Sequence, residues 1–162
     1  MSALSSIEDP NNWFVSHRSC SQDARHAHVD GRLAHCGVCG NCLLRRVSAH
    51  AAGINDESLY LFADIQAPTL EASAGKHRPT AMRAFSDLAN NSVTSMKRFA
   101  ALATGDESTR WRMAADLARY DHESPAEKHE KLLGLLVQHQ KEWDSFLSIC
   151  GGHSWISKIE AE

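Results

Sequence analysis

The stretch His35-Cys36-Gly37-Val38-Cys39-Gly40-Asn41-Cys42 decides how this chain is read. It places three cysteines within seven residues, in two overlapping Cys-x2-Cys spacings, and a fourth, Cys20, lies sixteen residues before Cys36. Four thiolates are the donor set that suits a tetrahedral zinc ion, and the Cys-x2-Cys turn lets two sulfurs converge on one metal. Gly37 and Gly40 follow Cys36 and Cys39, and glycine takes most readily the left-handed backbone that such turns ask for. The spacing favours structural zinc on Cys20, Cys36, Cys39 and Cys42. Two other chemistries stay open at this point. An iron–sulfur cluster uses the same triple spacing, with a fourth cysteine after a three-residue gap and before proline, or with a remote one. Here Arg46 stands after that gap, and the remote Cys20 precedes Ser21. Disulfides suit a secreted chain, yet Met1–Asn12 is polar and lacks the apolar segment of a signal peptide.

Composition sets the frame around this site. The chain has 162 residues, 43% hydrophobic and 23% charged, which suits one soluble domain with a real core. No apolar run is long enough for a membrane helix. A net charge of −3 supplies no general attraction to nucleic acid. Of five cysteines, four cluster and Cys150 stands alone, the pattern of a reduced, cytoplasmic protein with a metal site and one spare thiol.

The expected fold is mainly α: an N-terminal four-cysteine zinc module over residues 1–53, a connector over 54–79, and a small helical bundle over 80–162. Trp13-Phe14-Val15 reads as a short strand beneath the metal, and residues 21–34 as a polar loop joining Cys20 to the other ligands. His26 and His28 are alternative ligands within that loop, though four cysteines already complete a site. His35 is placed to pack or to hydrogen-bond a ligand sulfur. From Asn41 the apolar spacing of Leu43, Leu44, Val47 and Ala51 predicts a helix closed at Gly53, with Cys42 in its first turn at the positive end of the dipole. Arg45 and Arg46 lie one turn on. They suit a dianionic tetrathiolate or an anionic partner, with a solvated face the simpler reading for at least one. Leu59–Phe62 and Ile65 predict a short docking helix, and Lys76-His77-Arg78 a solvated loop. Three helices follow. The first runs from Met82 to Gly105 with an interruption at Asn90-Asn91. The second is capped by Asp106. The third opens on the capping box Ser124-Pro125-Ala126-Glu127 and ends at Gly151-Gly152. Gly134 inside the third suggests a close helix contact, and Cys150 a buried hydrophobe.

The string Ser19-Cys20, then His35-Cys36-Gly37-x-Cys39-x-x-Cys42-x-x-Arg45-Arg46, resembles the C-terminal zinc motif of the 7-cyano-7-deazaguanine synthase (QueC) family. The resemblance covers residues 13–53. It implies structural zinc on the four cysteines and membership of an ATP-dependent ligase family acting in queuosine precursor synthesis. The chain departs from the family in three ways. The Cys20–Cys36 loop is longer, more than a hundred residues follow the motif, and no Ser-Gly-Gly-x-Asp-Ser phosphate loop is present. The extended tail fits the QueC-like, QatC-type proteins of anti-phage defence operons better than the biosynthetic enzyme. The resemblance therefore implies a C-terminal or separately encoded piece, with ATP used only when it is joined to a catalytic ATP pyrophosphatase domain. Its expected partners are that domain, a second copy of the chain, or defence-operon proteins.

No catalytic constellation stands out. Asp121-His122-Glu123 has residue types for acid–base chemistry but suits a polar helix junction. A four-cysteine zinc has no open position and stabilises structure without activating water. The alternative function, of a different class, is a stand-alone zinc and helical adaptor for a protein partner.

Overall fold

The structure, a computed structural model, describes residues 17–22, 27–56, 59–120 and 123–162. The expected strand at Trp13-Phe14-Val15, the alternative ligand His26, and Asp121-His122 lie outside the described residues. The architecture is mainly α, with a four-cysteine cluster near the N-terminus. Strands β1 (His28–Val29) and β2 (Arg32–Leu33) precede helix α1 (Gly40–Ala51). A short α2 (Leu70–Ser73) and a 3-10 turn (Gly75–His77) lead to α3 (Met82–Ala101), α4 (Glu107–Ala118), α5 (Pro125–Cys150) and α6 (Trp155–Ala161).

Local chemistry fixes most helix ends. Helix α1 closes in a Schellman turn: Gly53 N–H donates to the His50 carbonyl and Ile54 N–H to that of Ala49, with Gly53 at φ +64°. Asp106 caps α4 by accepting from the N–H groups of Ser108 and Thr109. The capping box at Ser124 and Glu127 forms as the sequence predicts, with Pro125 in the first turn of α5.

Four local expectations change. The Cys20–Cys36 segment holds a two-stranded antiparallel hairpin, His28 paired with Leu33 and Val29 with Arg32. Asp30 (φ 49°) and Gly31 (φ 73°) make its turn, the Asp-Gly pairing that a tight hairpin favours. Helix α3 runs unbroken through Asn90 and Asn91 because both face solvent, where their poor propensity meets no packing demand. Gly134 meets nothing: a β-carbon there would have no neighbour within 4 Å. Beyond Gly151, the Ser154 hydroxyl accepts from Ser157 N–H (3.1 Å) and starts α6, which the glycine pair had hidden.

One large core unites the chain. Leu43 and Val47 of α1, Phe85, Ala89 and Val93 of α3, Trp143 and Phe146 of α5, and Trp155 and Ile156 of α6 all belong to it, as do the buried cysteines Cys36, Cys39 and Cys42. Cys150 is buried there, and burial pushes its thiol up to about 12, so it packs as a hydrophobe. A smaller cluster of Ala103, Leu132 and Leu136, edged by Phe99 and Met113, joins α4 to α3 and α5. Among the described residues, no helix is long and apolar enough to cross a membrane.

Leu136 is fully buried in the smaller cluster and its neighbour Leu135 is 58% exposed. Leu136→Ala should therefore cost about 2–5 kcal/mol in denaturant unfolding, and Leu135→Ala no more than about 0.5 kcal/mol. Equal costs would refute the facing of α5.

Candidate metal centre

Three local structures deliver the four cysteines. Cys20 lies on the segment before the hairpin. Arg18 holds that segment in place, donating from Nη1 to the Ala34 carbonyl (3.1 Å) and from Nη2 to the Gln22 carbonyl (2.9 Å). The hairpin ladder is continued by Ala34 N–H to the Ala27 carbonyl (2.9 Å), so the chain returns to Cys36 directly beside Cys20. Cys36 N–H and Gln22 N–H both donate to Cys20 Sγ, at 3.3 and 3.4 Å. Cys39 N–H donates to Cys36 Sγ at 3.3 Å. Such N–H groups aimed at sulfur stabilise thiolates over thiols. Cys39 is the N-cap of α1 and Cys42 sits in its first turn, so the positive end of the helix dipole faces the cluster.

The four Sγ atoms lie within 4.8 Å of one another, with Cys36 and Cys42 Sγ 3.8 Å apart. Four sulfurs at zinc–thiolate bond length around one tetrahedral ion stand about 3.8 Å apart. The cage thus has the size for a single ion. A multi-iron cluster spreads the thiolates of different irons further apart than this. All five cysteines are free thiols, so disulfides do not account for the cluster. Cys36, Cys39 and Cys42 are buried and Cys20 is partly exposed.

Thiols this close share protons. The hydrogen bond with Cys36 lowers Cys20 to about 6, and that with Cys20 lowers Cys39 far more. The same contacts raise Cys36 and Cys42, each first through Cys20. Cys20, Cys36, Cys39 and Cys42 would all be held as thiolates by a bound divalent cation, which would remove this unequal partition.

The flanking residues act mainly through the backbone. The His35 N–H donates to the Leu59 carbonyl (2.8 Å), and its own carbonyl accepts from Leu61 N–H (2.9 Å). Phe62 N–H reaches the Cys36 carbonyl at 3.1 Å. Leu59–Phe62 therefore docks as an extended segment parallel to the metal loop, where the sequence suggested a short helix. Pairing wins because it satisfies the backbone of the buried metal loop, which a helix would leave bare. The His35 ring tilts against Tyr60 (centroids 5.5 Å apart), and burial, then Arg45 and Arg18, lower its pKa, which keeps it neutral.

Arg45 and Arg46 are each 7% exposed, so neither lies on a solvated face. Arg45 Nη1 donates to the His17 carbonyl (3.0 Å), and its Nε is 3.9 Å from Asp56, which accepts from the Tyr60 hydroxyl at 2.6 Å. Arg46 donates to the carbonyls of Phe62 (2.7 Å) and Ala63 (3.3 Å), with its guanidinium 3.8 Å over the Tyr60 ring. Gly37 completes the join. Its φ is +88°, and a β-carbon there would stand 2.6 Å from the Phe62 carbonyl oxygen. Gly40 has no positive φ and no close neighbour; it simply opens α1.

The four cysteines that the spacing singled out converge, while His28 is exposed on the hairpin and is not part of the cluster. Lys76 and His77 approach Asp30 at 3.7 and 3.8 Å, a largely solvated contact. Tyr60, Asp56 and Arg18 escaped the sequence reading; none carries a spacing signal, and only the apolar run at Leu59–Phe62 pointed to their neighbourhood. No family model, curated protein or solved structure matches the chain.

Gly37→Ala should weaken metal retention and lower the thermal midpoint by several degrees, since a ~1 kcal/mol loss already moves it by a few. Gly40→Ala should leave both within error. Calorimetry with elemental analysis of both variants checks this, and a tolerated Gly37→Ala would refute the close approach.

Proposed function

We propose that the four cysteines bind one structural zinc ion that holds the helical bundle to its N-terminal loops, and that the chain is the zinc-bearing region of a QueC-like, ATP-dependent protein. The carrying observation is the single-ion cage of Cys20, Cys36, Cys39 and Cys42. The donors fit zinc: thiolates only, at tetrahedral separation, with N–H groups on two of the sulfurs. When bound, the ion supplies charge and cross-linking, and a closed four-thiolate shell leaves no position for substrate. The chain's residues do the rest. Arg18 positions the Cys20 arm, Gly37 permits close contact with Phe62, and Arg46 fastens the Phe62–Ala63 backbone.

The family reading rests on Ser19-Cys20, His35-Cys36-Gly37 and Arg45-Arg46 around the ligands. In it, the module works in the cytoplasm beside a catalytic ATP pyrophosphatase domain or a second copy of the chain, in a queuosine-type ligase or an anti-phage defence complex. ATP is bound by that partner domain, and the zinc region contributes stability. A second reading, a zinc and helical adaptor without catalysis, is favoured by α4. Only Ala114 of that helix is buried, while Trp111 and Leu117 are exposed, as is Tyr120 just beyond its end.

Elemental analysis should give one zinc per chain in a colourless protein; visible absorption from iron and sulfide would contradict the metal assignment. Cys39→Ser should lose the ion and destabilise the whole fold, because structural zinc contributes folding energy directly. Retention of both metal and fold in that variant would sink the site. Acidification should release zinc as the thiolates take up protons, followed with a chromogenic chelator. The chain alone should not convert ATP to AMP and pyrophosphate, and turnover would overturn its non-catalytic role. Restoration of that turnover by an added ATP pyrophosphatase-type subunit separates the family reading from the adaptor reading.

A further inference from the structure

The four clustered cysteines differ in how they are held. Cys36 and Cys42 are fully buried and Cys39 is 1% exposed. All three belong to the core that joins the metal loop and α1 to the bundle. Cys20 is partly exposed, and Ser19 and Ser21 on either side of it are exposed. The segment that carries it borders a cavity of about 250 Å³, which Gln22 lines with Ala84, Phe85 and Leu88. Polar bonds fasten this segment: Arg18 reaches the Ala34 and Gln22 carbonyls, and Arg45 the His17 carbonyl. Cys20 is thus the sulfur that a solute meets first, and it moves without repacking the core. Its nearest backbone is that of Cys36, whose N–H donates to Cys20 Sγ at 3.3 Å. The four Sγ atoms lie within 4.8 Å of one another, and a disulfide needs its sulfurs at about 2.05 Å. A shift of the Cys20 segment supplies that closure.

We propose that the cage is a redox-sensitive clasp: a hydroperoxide oxidises Cys20 first, Cys20 closes a disulfide with Cys36, and the cage lets its metal go. The inference rests on the zinc reading of the cage and not on the family reading. The Cys20 thiolate attacks one peroxide oxygen; an S–O bond forms, the O–O bond breaks and hydroxide leaves. The Cys36 thiolate then attacks the Cys20 sulfur; an S–S bond forms, the S–O bond breaks and a second hydroxide leaves. Two thiolates have lost two electrons, and the peroxide has gained them. The two hydroxides take up protons as water. Cys39 and Cys42 remain, half of the set that closes a tetrahedral zinc site. Oxidation of this kind follows exposure, so burial shields Cys36, Cys39 and Cys42 from the first step. A dithiol reductant returns the two electrons, and the cage regains its four donors.

The test uses the unaltered full chain, its zinc content measured beforehand, with hydrogen peroxide as the oxidant and a chromogenic chelator as the reporter. Peroxide should release one zinc per chain, and dithiothreitol with added zinc should restore it. Trypsin separates the cysteines: residues 19–25 carry Cys20, residues 33–45 carry Cys36, Cys39 and Cys42, and residues 142–158 carry Cys150. Mass spectrometry of the oxidised chain should find residues 19–25 joined to residues 33–45, with fragmentation placing the bond at Cys36. After brief exposure, the sulfenic-acid trap dimedone should label residues 19–25 before residues 33–45. Zinc retained under peroxide, a disulfide confined to residues 33–45, or dimedone on that peptide first would each overturn the proposal and leave the zinc site standing. A bond from Cys20 to Cys39, Cys42 or Cys150 would overturn the pairing with Cys36. Starting protein that holds no zinc would overturn the zinc reading, and the clasp with it, before any oxidant is added.

Discussion

The contact between Gly37 and the Phe62 carbonyl is the constraint on which the rest of the molecule depends. It lies between two of the clustered cysteines and a segment that carries Phe62 into the common core, where its ring meets Phe85 of α3 at 5.1 Å. The cysteine cage sets the course of residues 36–42. That course sets the pairing of His35 and Cys36 with Leu59–Phe62, and Arg46 locks the same segment from α1. The following turn then presents carbonyls to α6: Trp155 N–H donates to Ala67 and its indole to Asp64. A local metal loop is thereby connected to the last helix of the chain through a sequence of named bonds.

This arrangement explains why two buried arginines are tolerated. A guanidinium out of water is expensive unless its N–H groups and charge find partners. Arg45 and Arg46 sit on the helix that begins at the cage and face away from solvent. Arg46 satisfies the buried Phe62 carbonyl and that of Ala63, and Arg45 donates to the His17 carbonyl and faces Asp56. At Arg46 this favours arginine over lysine, whose single ammonium cannot span two carbonyls in a fixed plane.

The sequence made legible those features whose signal is local. The four-cysteine cluster came from spacing, the end of α1 and the start of α5 from Gly53 and the Ser124 box, and the mainly α class from apolar periodicity. What stayed hidden has physical reasons. Leu59–Phe62 has no periodicity that separates a helix from an extended segment, and its conformation is decided by pairing with residues more than twenty positions away. The Asp30-Gly31 turn was readable, but the strands it joins are two residues each, too short to alternate visibly. Burial of Arg45 and Arg46 is a tertiary fact with no sequence signature beyond their distance from Cys42. Helix α6 was masked because Gly151-Gly152 reads as a stop, whereas Ser154 is a start.

Amide hydrogen exchange at Leu61 and Phe62, with and without a zinc chelator, tests the central claim most directly, because these two N–H groups bond the metal loop itself. Zinc-loaded protein should protect both, and chelation should remove that protection together with that of Trp155. Protection at Leu61 and Phe62 that persists after the metal is gone would show that the loops hold one another without it, and that the cysteine cage does not organise this fold.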